Sequence, residues 1–155
     1  MPSHFIARLS LVLLWLWTTA GTAAETAAAP SPAKDSELSP LLVPGTTTID
    51  TETAKSLYDE KVIFIDVRGD GYWNKGHITG AVHLQMPDQF TPDKLEQRVK
   101  PDQPLVLYCQ GVRCWRSHDA AKRALAWGFK QIYYYREGFP AWQTAGYPVT
   151  IPPTQ

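Results

Sequence analysis

The residues best suited to chemistry in this 155-residue chain lie in one short stretch, Cys109-Gln110-Gly111-Val112-Arg113-Cys114-Trp115-Arg116-Ser117. A cysteine attacks as its thiolate, and a thiol near positive charge or a helix N-terminus ionises below its free pKa of about 8.5. Arg113 and Arg116 supply full charges. Gly111 lets a loop turn backbone N–H groups toward one point, and a helix opening near Ser117 adds its positive end. Such a cup receives an anion beside the sulfur of Cys109. Arg113, inside the loop, is the stronger anion-binding candidate, whereas Arg116 can equally pair with a carboxylate on the first helical turn. Trp115 either lines the mouth or packs against the helix.

Cys114 leaves three readings open. It can close a structural disulfide with Cys109, since a bridge needs Cα atoms within about 7 Å. It can act as a resolving cysteine that attacks a persulfide or sulfenate on Cys109. It can also be a passive loop residue.

The elements that must position this loop are legible as apolar runs. Val62-Ile63-Phe64-Ile65 and Leu105-Val106-Leu107-Tyr108 are continuous and β-branched, as in strands buried on both faces. Ala81-Val82-His83-Leu84 and Ile132-Tyr133-Tyr134-Tyr135 are shorter candidates, and Thr47-Thr48-Ile49 reads as an edge strand. Helical patterns fall between them. Thr51 can cap a helix carrying Ala54, Leu57 and Tyr58, and Thr91-Pro92 offers a cap followed by proline at the first position. Ser117 opens SHDAAKRALAW, which Gly128 ends, and Phe139 to Ala145 forms a last short helix closed by Gly146. Alternation of this kind predicts an α/β fold with a central, mostly parallel sheet of about five strands flanked by helices. Chemistry in such sheets sits at the carboxyl ends of strands. Cys109 closes one.

Length and composition bound the remainder. About 150 residues is one domain, and 44% hydrophobic content is enough for a core. Charge is balanced at 15 Lys+Arg against 15 Asp+Glu, which excludes a nucleic-acid binder driven by basic excess. Two cysteines are too few for a disulfide framework, and no Cys/His cluster completes a metal site. Residues 1–24 follow the order of a signal peptide: Arg8, the apolar run from Leu9 to Trp17, then small residues around Ala20 to Ala24. That run is shorter than the roughly 20 residues needed to span a bilayer, so export without stable membrane insertion is expected, most simply to a periplasm. Residues 25–44, rich in Ala, Pro and Ser, read as a flexible linker. The folded domain is expected over 45–152.

Three segments together resemble the single-domain rhodanese (thiosulfate sulfurtransferase-like) family. They are Ile65-Asp66-Val67-Arg68 with Gly76-His77-Ile78-Thr79-Gly80-Ala81, then Tyr108-Cys109 with Ala120-Ala121 and Gly128-Phe129, then Gly138-Phe139-Pro140-Ala141-Trp142 with Ala145-Gly146-Tyr147-Pro148-Val149. The resemblance implies that Cys109 takes a sulfane sulfur from thiosulfate or a similar donor, carries it as a persulfide, and passes it to a thiol or protein acceptor. It implies no metal or organic cofactor, and a scaffold role for Asp66, Arg68, Gly76 and His77. The loop departs from the family pattern Cys-x-x-Gly-x-Arg-Ser/Thr. Position +5 from Cys109 is Cys114, and the interval to Ala120-Ala121 is two residues longer. Position +6 is Trp115, against the spacing that tyrosine-phosphatase relatives require.

Cys114-Trp115 also resembles the exported rhodanese-like proteins with a Cys-x-x-Cys-Trp motif associated with quinone-dependent periplasmic oxidation. Three functions follow from these readings. They are a sulfurtransferase working through Cys109, a thiol-disulfide or sulfur relay using Cys109 and Cys114, and a non-catalytic accessory module.

Overall fold

The computed structural model describes residues 37–153. Five strands form one parallel sheet: β1 (Thr47–Ile49), β2 (Ile63–Asp66), β4 (Val82–His83), β5 (Pro104–Tyr108) and β6 (Gln131–Tyr135), in the order β1-β6-β5-β2-β4. A second, antiparallel pair joins β3 (His77–Ile78) to β7 (Val149–Thr150). The α/β reading and its parallel sheet are as the sequence predicts. The small pair β3–β7 is not, because two-residue strands carry no periodic signal.

Five helices lie between the strands: α1 (Thr51–Asp59), α2 (Asp70–Trp73), α3 (Pro92–Glu96), α4 (Arg116–Ala126) and α5 (Gly138–Thr144). The cap of α1 is Asp50, one residue ahead of the expected Thr51, and its carboxylate accepts from Thr53 N–H at 2.8 Å. Thr91 caps α3 with proline behind it, as read from the sequence. Helix α4 begins at Arg116, one residue before the expected Ser117, with Trp115 at its cap position. α2 is a single turn, too short to have been anticipated.

The two faces of the sheet bury different chemistry. Along β5 the side chains alternate. Leu105 and Leu107 join Ile65, Leu84, Leu95, Val99 and Ile132 on one face, while Val106 and Tyr108 join Phe64, Tyr135, Phe139 and Trp142 on the other. Ala120, Ala121 and Ala124 are fully buried on the aliphatic side. Their small side chains let α4 approach the sheet closely, which fixes where its first turn meets the loop after β5.

The register places the strand ends in one rank. Asp66 is opposite Tyr108, and Tyr108 opposite Tyr135, which in turn faces Ile49. The loops after β2, β5 and β6 therefore emerge side by side.

The expected linker over 25–44 is ordered in its last part. Ser39 and Val43 are buried, and Val43 belongs to the aliphatic core. Short turns and a core contact hold this stretch, and a composition rich in Ser and Pro does not reveal them. The expected signal segment and the rest of the linker lie outside the described residues. Among those residues no helix is long and apolar enough to cross a membrane.

Candidate active site

Cys109 follows β5, the central strand, and is 1% exposed. The chain then turns at Gly111, whose φ of 110° lies in the region that favours glycine. Its carbonyl accepts from Cys114 N–H at 2.8 Å, closing a tight turn over Gly111–Cys114. That turn brings the two cysteines to a Cα–Cα distance of 6.2 Å, and their sulfurs are joined in a disulfide. The ionised Cys109 thiolate expected from the sequence therefore belongs to the reduced form, because both sulfurs are bonded here. The cup of backbone donors is also smaller than expected, since Cys114 N–H points back into the loop.

The loop is fastened at four places by distant parts of the chain. Phe139 N–H, at the start of α5, donates to Cys109 C=O at 3.0 Å. Gly138 makes this approach possible. It has φ of 64°, and a Cβ there would run into the carbonyl oxygen of Cys109. On the other side, Val112 C=O accepts from both the N–H and the hydroxyl of Ser39, at 2.8 and 3.0 Å. Trp115 Nε1–H donates to Glu37 C=O at 3.2 Å. Arg68 Nη1–H donates to the Gln110 side-chain oxygen at 2.9 Å.

Ser39 is in turn held by the end of β6. Arg136 Nε–H donates to its carbonyl at 2.9 Å, and the Tyr134 hydroxyl lies 3.1 Å from its Oγ. Burial pushes the Tyr134 phenol above its ordinary pKa. Nothing in the sequence marks residues 37–40 as part of the site. The one available signal is the Ser39-Pro40 pair, which reads as a turn anywhere.

Asp66, Arg68 and Gly76 form a closed unit beside the loop. Arg68 is 1% exposed and Asp66 fully buried. Backbone N–H, Nε–H and Nη2–H of Arg68 all donate to the Asp66 carboxylate, the last at 2.6 Å. Nη2–H also reaches Gly76 C=O at 2.8 Å, and the guanidinium lies 4.3 Å from the centre of the Phe139 ring. Burial beside Asp66 pushes the Tyr108 phenol well above its usual range. His77 faces elsewhere. Its ring stacks on Trp73 at 3.4 Å, and Trp73 in turn stacks on His83 at 4.6 Å.

Outside the loop, Gln110, Gly111, Val112 and Arg113 line an open depression of about 430 Å³ with Glu137, Pro140 and Ala141. Arg113 and Arg116 are both exposed, and Arg113 is the one at this depression. Glu137 does not bring a free carboxylate there. Its Oε2 accepts from Thr51 N–H at 3.1 Å and from the Thr51 hydroxyl. Among the described residues no group of three or more His, Cys, Asp or Glu side chains is placed to hold a metal ion.

A family model, the Rhodanese-like domain, matches residues 50–145, which include both cysteines, the Asp66–Arg68 unit and α5. The chain belongs to this family. Thiosulfate sulfurtransferase GlpE of Pseudomonas fluorescens is 29% identical over 103 residues, which cover 66% of this chain and 89% of that protein. The protein of the same name from Pseudomonas syringae is 30% identical over 96 residues, covering 62% and 86%. The solution structure of a polysulfide-sulfur transferase homodimer from Wolinella succinogenes shares the fold, with a TM-score of 0.58 at 23% identity over 70% of this chain and 80% of that one. The disulfide within this rhodanese-like domain, and the strap that residues 37–40 add from outside the matched stretch, are the features that the sequence motifs left undetermined.

Proposed function

We propose that this rhodanese-like domain is an exported sulfurtransferase in which Cys109 carries the sulfur. In the reduced protein the Cys109 thiolate attacks the outer sulfur of thiosulfate or a similar donor. The sulfur–sulfur bond of the donor breaks, sulfite leaves with the bonding pair, and a persulfide anion remains on Cys109. A thiol or another thiophilic acceptor then attacks the outer sulfur and restores the thiolate. The observation that carries this reading is the placement of Cys109. It follows the central strand beneath a loop fastened on both sides, and the loop residues after it, Gln110 to Arg113, line an open depression. Cationic charge and a nearby helix start favour a thiolate and an anionic donor. Export rests on the grammar of residues 1–24.

The disulfide favours a second reading, a sulfur relay in which Cys114 takes part. Steady-state thiocyanate formation from thiosulfate and cyanide, with anaerobically reduced protein, separates the two. The sulfurtransferase reading expects Cys109→Ser to fall to background and Cys114→Ser to keep its activity. Equal loss in both variants supports the relay. Absence of turnover in both the reduced wild type and reduced Cys114→Ser overturns both and leaves a non-catalytic accessory module, including one of the Cys-x-x-Cys-Trp kind.

A further inference from the structure

The cysteine pair carries an inference about where the sulfur goes, resting on the persulfide reading above. A thiol that attacks a persulfide has two targets. Attack on the outer sulfur moves it to the attacker, whereas attack on the inner sulfur expels hydrosulfide and leaves a disulfide. Cys114 is bonded to Sγ of Cys109, which is the inner sulfur of any persulfide formed there. The turn over Gly111–Cys114 and the fastening of Val112 and Trp115 hold the loop in that arrangement.

We infer that Cys114 discharges the Cys109 persulfide as hydrosulfide, making the domain a dithiol-driven reductase of sulfane sulfur. The Cys114 thiol gives its proton to the departing sulfur. Its sulfur bonds to Sγ of Cys109, the persulfide bond breaks, and hydrosulfide leaves. The sulfane sulfur is reduced to sulfide, and the two cysteines, oxidised to a disulfide, supply the electrons. An external dithiol then reduces the disulfide and is itself oxidised to one. The sum is thiosulfate plus a dithiol giving sulfite, hydrogen sulfide and a disulfide.

Burial selects the sulfur at which that reductant enters. Cys109 is 1% exposed, whereas Cys114 is only half-buried. Exchange depends on which sulfur can be reached, so the partner dithiol forms its mixed disulfide with Cys114 and releases Cys109 as the free thiolate. The partner is thus defined by chemistry as a dithiol protein or small dithiol able to reach an exposed loop.

A single-turnover experiment on the full chain tests this. The protein is reduced, freed of reductant, mixed anaerobically with excess thiosulfate, and assayed for sulfite, sulfide and remaining thiols. The expected wild-type result is one sulfite and one sulfide per chain, with both thiols lost. Cys114→Ser and Cys114→Ala should release sulfite without sulfide and stay one sulfur atom heavier. Sulfite without sulfide from the wild type overturns the inference and leaves the sulfurtransferase reading intact. No sulfite from any form overturns that reading itself. For the point of entry, oxidised protein is treated with limiting glutathione and digested. The adduct is expected on Cys114, and an adduct on Cys109 overturns the assignment.

Discussion

The loops after β2 and β5 leave adjacent strands at the same edge of the sheet, yet they are secured by different kinds of bond. After β2, a buried carboxylate and guanidinium two residues apart satisfy each other, and the spare donors of Arg68 reach Gly76 and Gln110. After β5, apart from that Arg68–Gln110 bond, the ties are neutral hydrogen bonds to the distant residues Glu37, Ser39 and Phe139, plus one covalent link between sulfurs. A neutral hydrogen bond contributes about 0.5–1.5 kcal/mol net, whereas breaking one side of a buried ion pair costs about 3–5 kcal/mol. The first loop is therefore a fixed wall. The second can change its covalent state against that wall without the sheet having to rearrange.

The contrast is sharpest if each loop is broken in turn. Asp66→Ala leaves the Arg68 guanidinium buried without its carboxylate, and a loss of about 3–5 kcal/mol is expected in urea unfolding. A loss below about 1 kcal/mol would place the two loops in the same class. Gly138→Ala comes next. Its φ of 64° costs an alanine about 1–3 kcal/mol, and the new Cβ must displace Cys109 C=O. Both lowered stability and a disturbed active loop are expected, readable as a lower urea midpoint together with altered reactivity of the reduced cysteines toward a thiol reagent.

Ser39→Ala should cost only about 1 kcal/mol in global stability, because Ser39 N–H still reaches Val112 C=O. Its larger effect is local. The disulfide should be reduced faster by dithiothreitol than in the wild type, and an unchanged rate would remove the strap from the account of the loop.

The smallest effect at neutral pH lies at the end of β6. Burial pushes the Tyr135 phenol up to about 12. The folded state then holds a proton that the unfolded chain releases near pH 10. This stabilisation is complete below pH 10 and is lost as pH rises toward 12. Tyr135→Phe should flatten the alkaline limb of a stability–pH profile while leaving activity at pH 7 unchanged.

The difference between the loops also explains what the sequence made legible. Asp66 and Arg68 are two residues apart and Gly76 follows closely, so their partnership is contained in a local motif. The strands of β2 and β5 were readable because both faces of the sheet are covered, which demands unbroken apolar runs. Cys109 could be placed at a strand end for the same reason. The strap was not readable, since Ser39 and Val112 are 73 residues apart and meet at a backbone carbonyl, which accepts from a backbone N–H and from a hydroxyl with no local motif around it. Whether Cys114 meets Cys109 at all depends on the turn over Gly111–Cys114. Spacing alone permits that turn and does not require it.

The central claim is that Cys109 is the sulfur-carrying nucleophile, and the most direct test removes its bonded neighbour. Reduced Cys114→Ser is incubated with thiosulfate under anaerobic conditions, weighed intact by mass spectrometry and digested to locate any added mass. If Cys109 carries the sulfur, a species one sulfur atom heavier is expected, with the sulfur on the peptide containing Cys109 and one sulfite released per chain. An unmodified mass with no sulfite would contradict it.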